Sequence, residues 1–191
     1  YLSSVIPQDP KDKVFIVSSD KDFLQLINQN VIVYRPMEKE FYTEETVVEK
    51  FKMSPTNFII YKTLMGDNSD NVKGIKGLGE KKLLKLFPEL SKKDMSLDDI
   101  YNICESKFKE NVIYARVIQH IDDLEKNYKI MDLSNPMLDE NDKKYLTQVV
   151  NTNDYNYLPD QFVAFYNEDK LGGMIRNVNF WVKDVFEKFK L

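Results

Sequence analysis

The sequence predicts an α/β region that gives way to an all-helical region near residue 71. Two apolar, β-branched runs with a short helical pattern between them predict the first region. After residue 71 no convincing strand pattern occurs, which predicts the all-helical region. Strand, helix and strand in this order favour a doubly wound sheet. The 191 residues are enough for one or two domains with a substantial core.

The predicted strands cover residues 14–17 and 31–34, and both are short apolar runs bounded by polar residues. Such runs are typical of buried parallel strands. Asp20 and Asp22 follow the first strand, and a short helix is expected over 22–27. The second strand should stop before Pro36, which cannot donate to a strand ladder.

Two helices with clear starts are predicted next. Thr43 is a suitable cap for a helix that runs to about residue 52, with two glutamates in its first turn. Ser54 and Pro55 open the following helix, which Gly66 ends. Further helical patterns cover 83–87, 98–104, 111–131, 143–150, 162–166 and 180–189, with breaks at Asn135-Pro136, Leu158-Pro159 and Gly172-Gly173.

Composition narrows the class of protein. Hydrophobic residues make up 42% and charged residues 30% of the chain, as in ordinary globular proteins. The single cysteine, Cys104, excludes an internal disulfide and fits a reducing cytoplasm, and no Cys/His cluster offers a zinc site. No apolar stretch reaches the roughly 20 residues of a membrane helix, so no membrane partner is expected.

The net charge of −4 does not by itself favour nucleic acid, but the charge is unevenly distributed. Residues 72–93 carry seven lysines against two glutamates, a local net of +5. A run of lysines alone is more often a solvated helix face than a binding site. The lysines are Lys73, Lys76, Lys81, Lys82, Lys85, Lys92 and Lys93.

Two acidic pairs are candidate metal ligands. Asp20 and Asp22 follow a strand, where ligand sites of open α/β sheets lie. Asp67 and Asp70 are one helical turn apart and can face the same point. Crowded carboxylates repel unless cations neutralise them, and hard oxygen ligands suit Mg²⁺ or Mn²⁺. Two such ions about 4 Å apart can support phosphodiester cleavage. Alternatively, Asp20 is a helix cap and the later pair are turn residues.

A glycine-containing turn follows the second pair. Val72, Ile75, Leu78 and Leu83 have the apolar spacing of a helix–hairpin–helix, interrupted by Gly74, Gly77 and Gly79. Glycines let a phosphate approach backbone N–H groups, and the start of a helix favours an anion. The predicted contact set is Lys73, Gly74, Lys76, Gly77, Gly79, Lys81 and Lys82. Such binding reads the nucleic-acid backbone rather than its sequence. The alternative is an ordinary loop between helices.

Two other residues are predicted to be structural. His120 lies in an amphipathic stretch with no partner motif, and Cys104 is expected to be a half-buried apolar residue. The apolar C terminus offers a further possibility, a surface that docks a partner.

The ordered set of motifs resembles the 5′-nuclease family, which includes flap endonucleases, the 5′–3′ exonuclease domain of bacterial DNA polymerase I and phage ribonuclease H. The resemblance is closest to the phage branch and is specific over residues 13–90. It is carried by residues 18–26 (SSDKDFLQL) and 64–81 (LMGDNSDNVKGIKGLGEK).

The resemblance implies a Rossmann-like (PIN-like) nuclease core and a two-metal, carboxylate-rich site. Asp20 and Asp22 would match metal ligands at the end of a central strand, and Asp67 and Asp70 would match those of the second metal. The hairpin would grip the duplex part of a branched, nicked or RNA-primed DNA, in some members with a monovalent cation held by backbone carbonyls. The implied regions are 1–71 (C-terminal part of the core), 72–135 (helix–hairpin–helix) and 136–191 (helical).

The family site also draws on carboxylates that match nothing in this sequence: an N-terminal aspartate, a later aspartate and an acidic helix. A basic or arched helical region is also unmatched. We therefore expect part of the ligand set to come from outside these 191 residues, and the chain alone to bind metal poorly and cleave little.

Three hypotheses follow. The first is a Mg²⁺-dependent 5′ nuclease that acts on DNA flaps, nicks or RNA primers in replication and repair. The second is a non-catalytic, structure-selective DNA-binding module, in which the carboxylates are structural. The third is a replication scaffold whose apolar C terminus docks a sliding clamp or a single-strand-binding protein.

Overall fold

The computed structural model describes residues 1–152, 158–171 and 174–186. The chain forms two compact units, Tyr1–Gln148 and Val149–Leu191. As predicted, an α/β region is followed by a mainly helical one. No helix within the described residues is both long and apolar enough to cross a membrane.

Three strands build the main sheet, in the order β1-β2-β3. The two predicted strands are confirmed and pair in parallel, with Val14 opposite Val31. A 3₁₀ helix connects them, and the third strand returns antiparallel after a turn. The bounds are β1 Val14–Val17, 3₁₀ helix Lys21–Leu26, β2 Val31–Arg35 and β3 Glu40–Tyr42.

The sheet is buried on one face only. Val31 and Val33 of β2 lie in the core, whereas Phe15, Val17 and Phe41 are each more than half exposed on the other strands. The rings of Phe15 and Phe41 meet edge to face, 6.0 Å apart. Among the described residues β1 pairs with β2 alone, which leaves its other edge open.

The first helices start where their caps predict. The Thr43 hydroxyl accepts the N–H of Thr46, and Lys52, the residue that follows α2, lies in the left-handed region. The Ser54 hydroxyl accepts the N–H of Asn57, so that a 3₁₀ turn precedes α3. A short helix also stands at the N terminus. The bounds are α1 Leu2–Val5, α2 Glu44–Phe51, 3₁₀ turn Pro55–Asn57 and α3 Phe58–Met65.

A two-stranded ribbon follows α3, and helices make up the rest of the described chain. The ribbon strands are β4 Gly66–Asp67 and β5 Val72–Lys73. The helices are α4 Glu80–Leu86, α5 Leu97–Lys107, α6 Val112–Gln119, α7 Ile121–Met131, α8 Glu140–Asn151, α9 Pro159–Glu168 and α10 Val178–Phe186, with a 3₁₀ turn at Pro88–Ser91.

Two predictions about this region are wrong. The helix expected over 111–131 is two helices, because the backbone of His120 leaves the helical region (φ −111°, ψ 22°) between α6 and α7. The absence of strands after Val72 is also contradicted, since Val72 pairs with Asp67 in the ribbon. The expected Gly172-Gly173 break and the end of the last helix (187–189) lie outside the described residues.

The first unit has two apolar clusters that meet at α3. The larger lies among α3–α7, and the smaller lies between the sheet and α2. Gln25 ties the 3₁₀ helix after β1 to the end of α7, because its amide donates to the carbonyl of Met131 and accepts the N–H of Leu133, each at 3.0 Å. The segment that carries Asp22 is thereby fixed against the helical region.

The second unit contains α9 and α10. The ring of Phe162 stacks on Trp181 with centroids 5.7 Å apart. Tyr166 and Val182 are buried, and the Tyr166 hydroxyl accepts the N–H of Ile175 at 2.7 Å. The described aromatic residues of the C-terminal region thus include both packed side chains and exposed ones such as Phe165 and Phe180.

Candidate metal centre and adjoining hairpin

The structure brings together three of the four predicted carboxylates. Asp22, Asp67 and Asp70 each offer an oxygen, and these oxygens lie within 4.8 Å of one another. They come from two segments that are far apart in the sequence: the 3₁₀ helix after β1, and the β4–β5 ribbon with its loop. Convergence of this kind depends on the tertiary fold and cannot arise from a local turn.

Asp20 is placed differently. It is exposed, lies outside this group of three, and accepts the N–H of Asp22 at 2.9 Å as the cap of the 3₁₀ helix. Its side chain therefore orients the backbone that presents Asp22. A role for Asp20 as a direct metal ligand stays a prediction.

A lysine that the sequence reasoning missed lies inside the acid cluster. The ammonium of Lys62, on α3, contacts Asp22 Oδ1 at 2.6 Å and also pairs with Asp67. All three side chains are largely buried, with exposed fractions of 11% for Lys62, 18% for Asp22 and 17% for Asp67. A lysine one turn before an acidic loop, within the apolar run FIIYKTLM, was the available signal.

The protonation states follow from these contacts. Burial disfavours the charge of Lys62, but the hydrogen bonds and charges of Asp22 and Asp67 outweigh burial and raise the pKa of the ammonium. Hydrogen bonds from Lys62 and then from the Ser69 hydroxyl hold the pKa of Asp67 well below its usual range. Lys62 and Asp67 are therefore both charged at neutral pH, so the acid cluster contains one internal cation.

The ribbon that carries Asp67 is closed by a very tight backbone contact. A Cβ on Gly74 would lie 2.1 Å from the carbonyl carbon of Met65 and 2.5 Å from the nitrogen of Gly66. Gly66 itself has φ of +73°, which favours glycine. Directly beyond, Ile75 donates to the carbonyl of Leu64 at 2.8 Å. The acidic loop and the hairpin are thus joined without an intervening linker.

The segment expected to form the hairpin, residues 72–83, has buried apolar side chains and exposed lysines. Ile75, Leu78 and Leu83 are buried, whereas the lysines of the predicted contact set are exposed. Lys82 caps the turn by donating to the carbonyl of Gly77 at 2.9 Å. The predicted set divides over two faces: Lys73, Gly74 and Lys76 line a groove toward α6 and α7, whereas Gly77, Gly79, Lys81 and Lys82 lie outside it.

Two further residues hold the hairpin from the helical side. Arg116 on α6 donates to the carbonyl of Lys76 at 2.6 Å, and Asn127 on α7 donates to the carbonyl of Lys73 at 2.9 Å. Neither was predicted, because nothing local marks a side chain that reaches across to a distant carbonyl. The hairpin is therefore supported by α6 and α7 as well as by α3.

Cys104 and His120, which were expected to be structural, do not belong to the acid cluster. Burial raises the pKa of the Cys104 thiol to about 12, so this thiol stays protonated and unreactive. It is fully buried rather than half-buried. His120 is exposed at the corner between α6 and α7, 3.5 Å from Asp123.

Comparison with known proteins identifies the family. A family model described as "5'-3' exonuclease, C-terminal SAM fold" matches residues 53–152, which is more than half of the chain. The chain therefore belongs to the 5′–3′ exonuclease family. This result bears out the resemblance drawn from the motifs.

Individual relatives support this family assignment. A 5′–3′ exonuclease of Aquifex aeolicus is 40% identical over 121 residues, covering 63% of this chain and 39% of the relative. DNA polymerase I of Caldicellulosiruptor bescii is 34% identical over 137 residues, covering 63% of this chain and 16% of the polymerase. The chain thus spans about two fifths or less of the length of these curated relatives.

A solved structure supports the fold. The flap endonuclease of bacteriophage T5, in a complex with DNA and metal ions, superposes with a TM-score of 0.54 at 21% identity. The superposition covers 64% of this chain and 43% of the phage protein.

Proposed function

We propose that this chain contributes to a divalent-metal-dependent 5′ nuclease, which hydrolyses phosphodiester bonds at flaps, nicks or RNA primers on DNA during replication and repair. The observation that carries the proposal is the convergence of Asp22 with Asp67 and Asp70 beside a lysine-bearing hairpin. The family membership supports the reaction class. The phage relative, solved with DNA and metal ions, supports the kind of ligand.

The donor set fits Mg²⁺ or Mn²⁺. Three carboxylates supply hard oxygen ligands, and no sulfur or imidazole nitrogen belongs to the group. When bound, a pair of such ions supplies an activated water and neutralises charge on the phosphate. In this proposal Asp22, Asp67 and Asp70 hold the ions, Lys62 keeps the first two carboxylates in place, and Asp20 orients Asp22. The remaining ligands come from outside these residues.

The hairpin is proposed to bind the DNA backbone. Lys73, Lys76, Lys81 and Lys82 are exposed around a turn whose backbone is held at several points. Contacts of this type fix the position of a duplex without reading its bases. A monovalent cation at the hairpin and docking of a clamp or single-strand-binding protein at the C terminus stay predictions. A pull-down with and without the C-terminal helices tests the latter.

The central test is substitution of the acidic residues in the intact enzyme. Asp67→Asn or Asp22→Asn should lower cleavage on the order of 100-fold, because each substitution removes a charged ligand of the proposed metal ions. A factor of 100 corresponds to about 2.8 kcal/mol of lost transition-state stabilisation, at about 1.4 kcal/mol for each factor of ten. Binding of the same DNA, measured without divalent metal, should change little. Asp122→Asn, an exposed carboxylate in the first turn of α7, is the matched control. Equal losses of cleavage and binding would count against the assignment.

The hairpin has its own test. Lys81→Ala with Lys82→Ala should weaken binding about equally for all DNA sequences and lower the slope of log K against log salt by about two, since each lysine replaces one counterion. Lys92→Ala with Lys93→Ala removes the same charge from the same lysine run outside the hairpin and serves as control. If the control pair has the same effect, the hairpin is not the contact.

One observation favours a second function. Lys62 already neutralises much of the charge of Asp22 and Asp67, so the cluster can be a structural ion-pair network in a non-catalytic DNA-binding module. A flap-cleavage assay with and without Mg²⁺ separates the two. Metal-dependent cleavage supports the nuclease, and DNA binding without cleavage by the intact protein supports the module.

A further inference from the structure

The ammonium of Lys62 occupies part of the candidate metal centre. It contacts Asp22 Oδ1 at 2.6 Å and also pairs with Asp67, so it bridges two of the three clustered carboxylates. The third carboxylate, Asp70, is exposed. A divalent ion at this centre therefore meets two carboxylates that already have a positive partner.

The oxygens that Lys62 contacts are oxygens that a bound ion would need. Asp67 Oδ1 accepts the N–H of Ser69 at 2.8 Å and also its hydroxyl, so Oδ2 is the oxygen left for an ion, and the ammonium contacts Oδ2. Asp22 Oδ1 is buried and, apart from the contact with Lys62, accepts no hydrogen bond from the described residues. An ion about 2.1 Å from these oxygens would repel an ammonium in contact with the same oxygens.

The surroundings of the acid cluster set the order in which an entering ion meets its ligands. Asp22 and Asp70 line the groove between the hairpin and helices α6 and α7, whereas Lys62 and Asp67 do not. The Lys62 side chain comes from α3 and is only 11% exposed. An ion that enters from the groove therefore meets Asp70 and Asp22 first, and it competes with the ammonium when it reaches Asp67.

The fold positions both carboxylates by contacts that do not involve Lys62. Asp22 belongs to the 3₁₀ helix that Asp20 caps and that Gln25 ties to the end of α7. Asp67 lies in the ribbon closed by Gly66 and Gly74 and is held by Ser69. Loss of the ammonium therefore leaves the carboxylates close to their positions and frees their oxygens.

We propose that Lys62 is a built-in competitor for the divalent ion. Its ammonium holds Asp22 and Asp67 when no ion is bound, and it gives up at least one of them when an ion binds. The centre then fills only at a higher metal concentration than the carboxylates alone would need. This inference rests on the proposed function and adds a means by which occupancy of the same site is regulated.

Mn²⁺ binding by the intact protein measures the competition, because free Mn²⁺ gives an electron paramagnetic resonance signal that the bound ion loses. Lys62→Met should bind Mn²⁺ about tenfold more tightly than the wild type, a difference of about 1.4 kcal/mol. Lys62→Arg keeps the positive charge and should gain no affinity. Lys50→Met removes the same charge from a pair outside the acid cluster and should leave the affinity unchanged.

The wild type provides a second measurement, which does not require a variant to fold. Nitrogen-15 NMR observes the ammonium groups of lysines held in ion pairs, and each signal is assigned through the carbons of its own side chain. Saturating Mg²⁺ should shift or remove the signal of Lys62, because the ion takes over its carboxylate partners. The signal of Lys50, which pairs with Glu40, should not move.

Three results would overturn the inference: equal or weaker Mn²⁺ binding by a folded Lys62→Met, the same gain in Lys50→Met, or a Lys62 signal that saturating Mg²⁺ leaves unchanged. A thermal melt of each variant confirms folding. Tighter binding by Lys62→Met without Mg²⁺-dependent flap cleavage by the wild type keeps the competitor and loses the nuclease. Cleavage by the wild type with equal Mn²⁺ affinities of the two proteins keeps the nuclease and loses the competitor.

Discussion

Replacing Gly74 by alanine should lower the free energy of unfolding by about 3 kcal/mol, the upper end of the usual cost of overpacking. The added Cβ would fall 2.1 Å from the carbonyl carbon of Met65 and 2.2 Å from its oxygen. These are backbone atoms, so no side-chain rotation can relieve the contact. The ribbon of Gly66 and Lys73 must then open, and Asp67 moves with it.

Chemical denaturation measures the loss, and Mn²⁺ binding by the intact protein reports the displacement of Asp67. Gly79→Ala is the control. Gly79 has an ordinary negative φ of −114°, and a Cβ there would meet nothing within 4 Å. We expect it to cost less than about 1 kcal/mol, as for a changed residue at a helix cap. If Gly74→Ala is as stable as Gly79→Ala, the tight contact does not constrain the ribbon.

Replacing Lys62 by methionine should also cost about 3 kcal/mol at neutral pH, because it leaves two largely buried carboxylates without their cation. Lys50→Met is the matched control. Lys50 pairs with Glu40, but both side chains are more than one third exposed, so a much smaller loss of stability is expected. Chemical denaturation measures the loss of stability in both variants. If the losses of Lys62→Met and Lys50→Met are equal, Lys62 has no special role.

Divalent metal should compensate for the missing ammonium. If the carboxylates bind Mg²⁺ or Mn²⁺ as proposed, the ion stabilises the folded state by mass action. The increase in melting temperature on adding metal should therefore be larger for Lys62→Met than for the wild type. A variant whose stability does not respond to metal would indicate that the acid cluster does not hold a divalent ion.

The ion pair of Lys62 and Asp67 predicts a dependence of stability on pH. The pKa of Asp67 is lowered by folding, so its contribution is complete above the ordinary value of 3.8 and is lost as the pH falls below it toward the folded value. The pKa of Lys62 is raised, so its contribution is complete below the ordinary value of 10.5 and is lost as the pH rises through the folded value. Lys62→Met should flatten both ends of the stability profile.

Local signals were sufficient for much of the fold. The runs at 14–17 and 31–34 became strands because β-branched apolar residues between polar flanks have few alternatives to a buried strand. Thr43 and Ser54 began helical segments because a side-chain oxygen can satisfy a free N–H at that point. These outcomes depend on neighbouring residues only.

Other elements depend on contacts between distant residues. The β4–β5 strands have two residues each, too few to show an alternating pattern, and they form because Gly66 and Gly74 can approach closely. The run over 111–131 has a continuous helical pattern without glycine or proline, so nothing local marked the break at His120. β3 was missed because three residues between a turn and a helix give no clear signal.

The sequence pointed to the acidic residues of the candidate site but not to the lysine that holds two of them in place. The positions of Asp22, Asp67 and Asp70 followed from motif order, whereas their distances depended on how α3 and the sheet pack. Lys62 was overlooked because a lysine in an apolar helix is usually assumed to extend its ammonium to water. Here that ammonium is turned inward between two carboxylates.

The open edge of β1 bears on how the chain behaves in concentrated solution. Amide and carbonyl groups along this edge, which pair with no other described strand, offer a template on which a second molecule can extend the sheet. Phe15 and Val17 add an apolar surface beside that edge. Lys13, immediately before the strand, supplies the kind of charge that opposes such self-association. High salt screens this charge, and it therefore removes one obstacle to aggregation while it also weakens the proposed contacts with DNA.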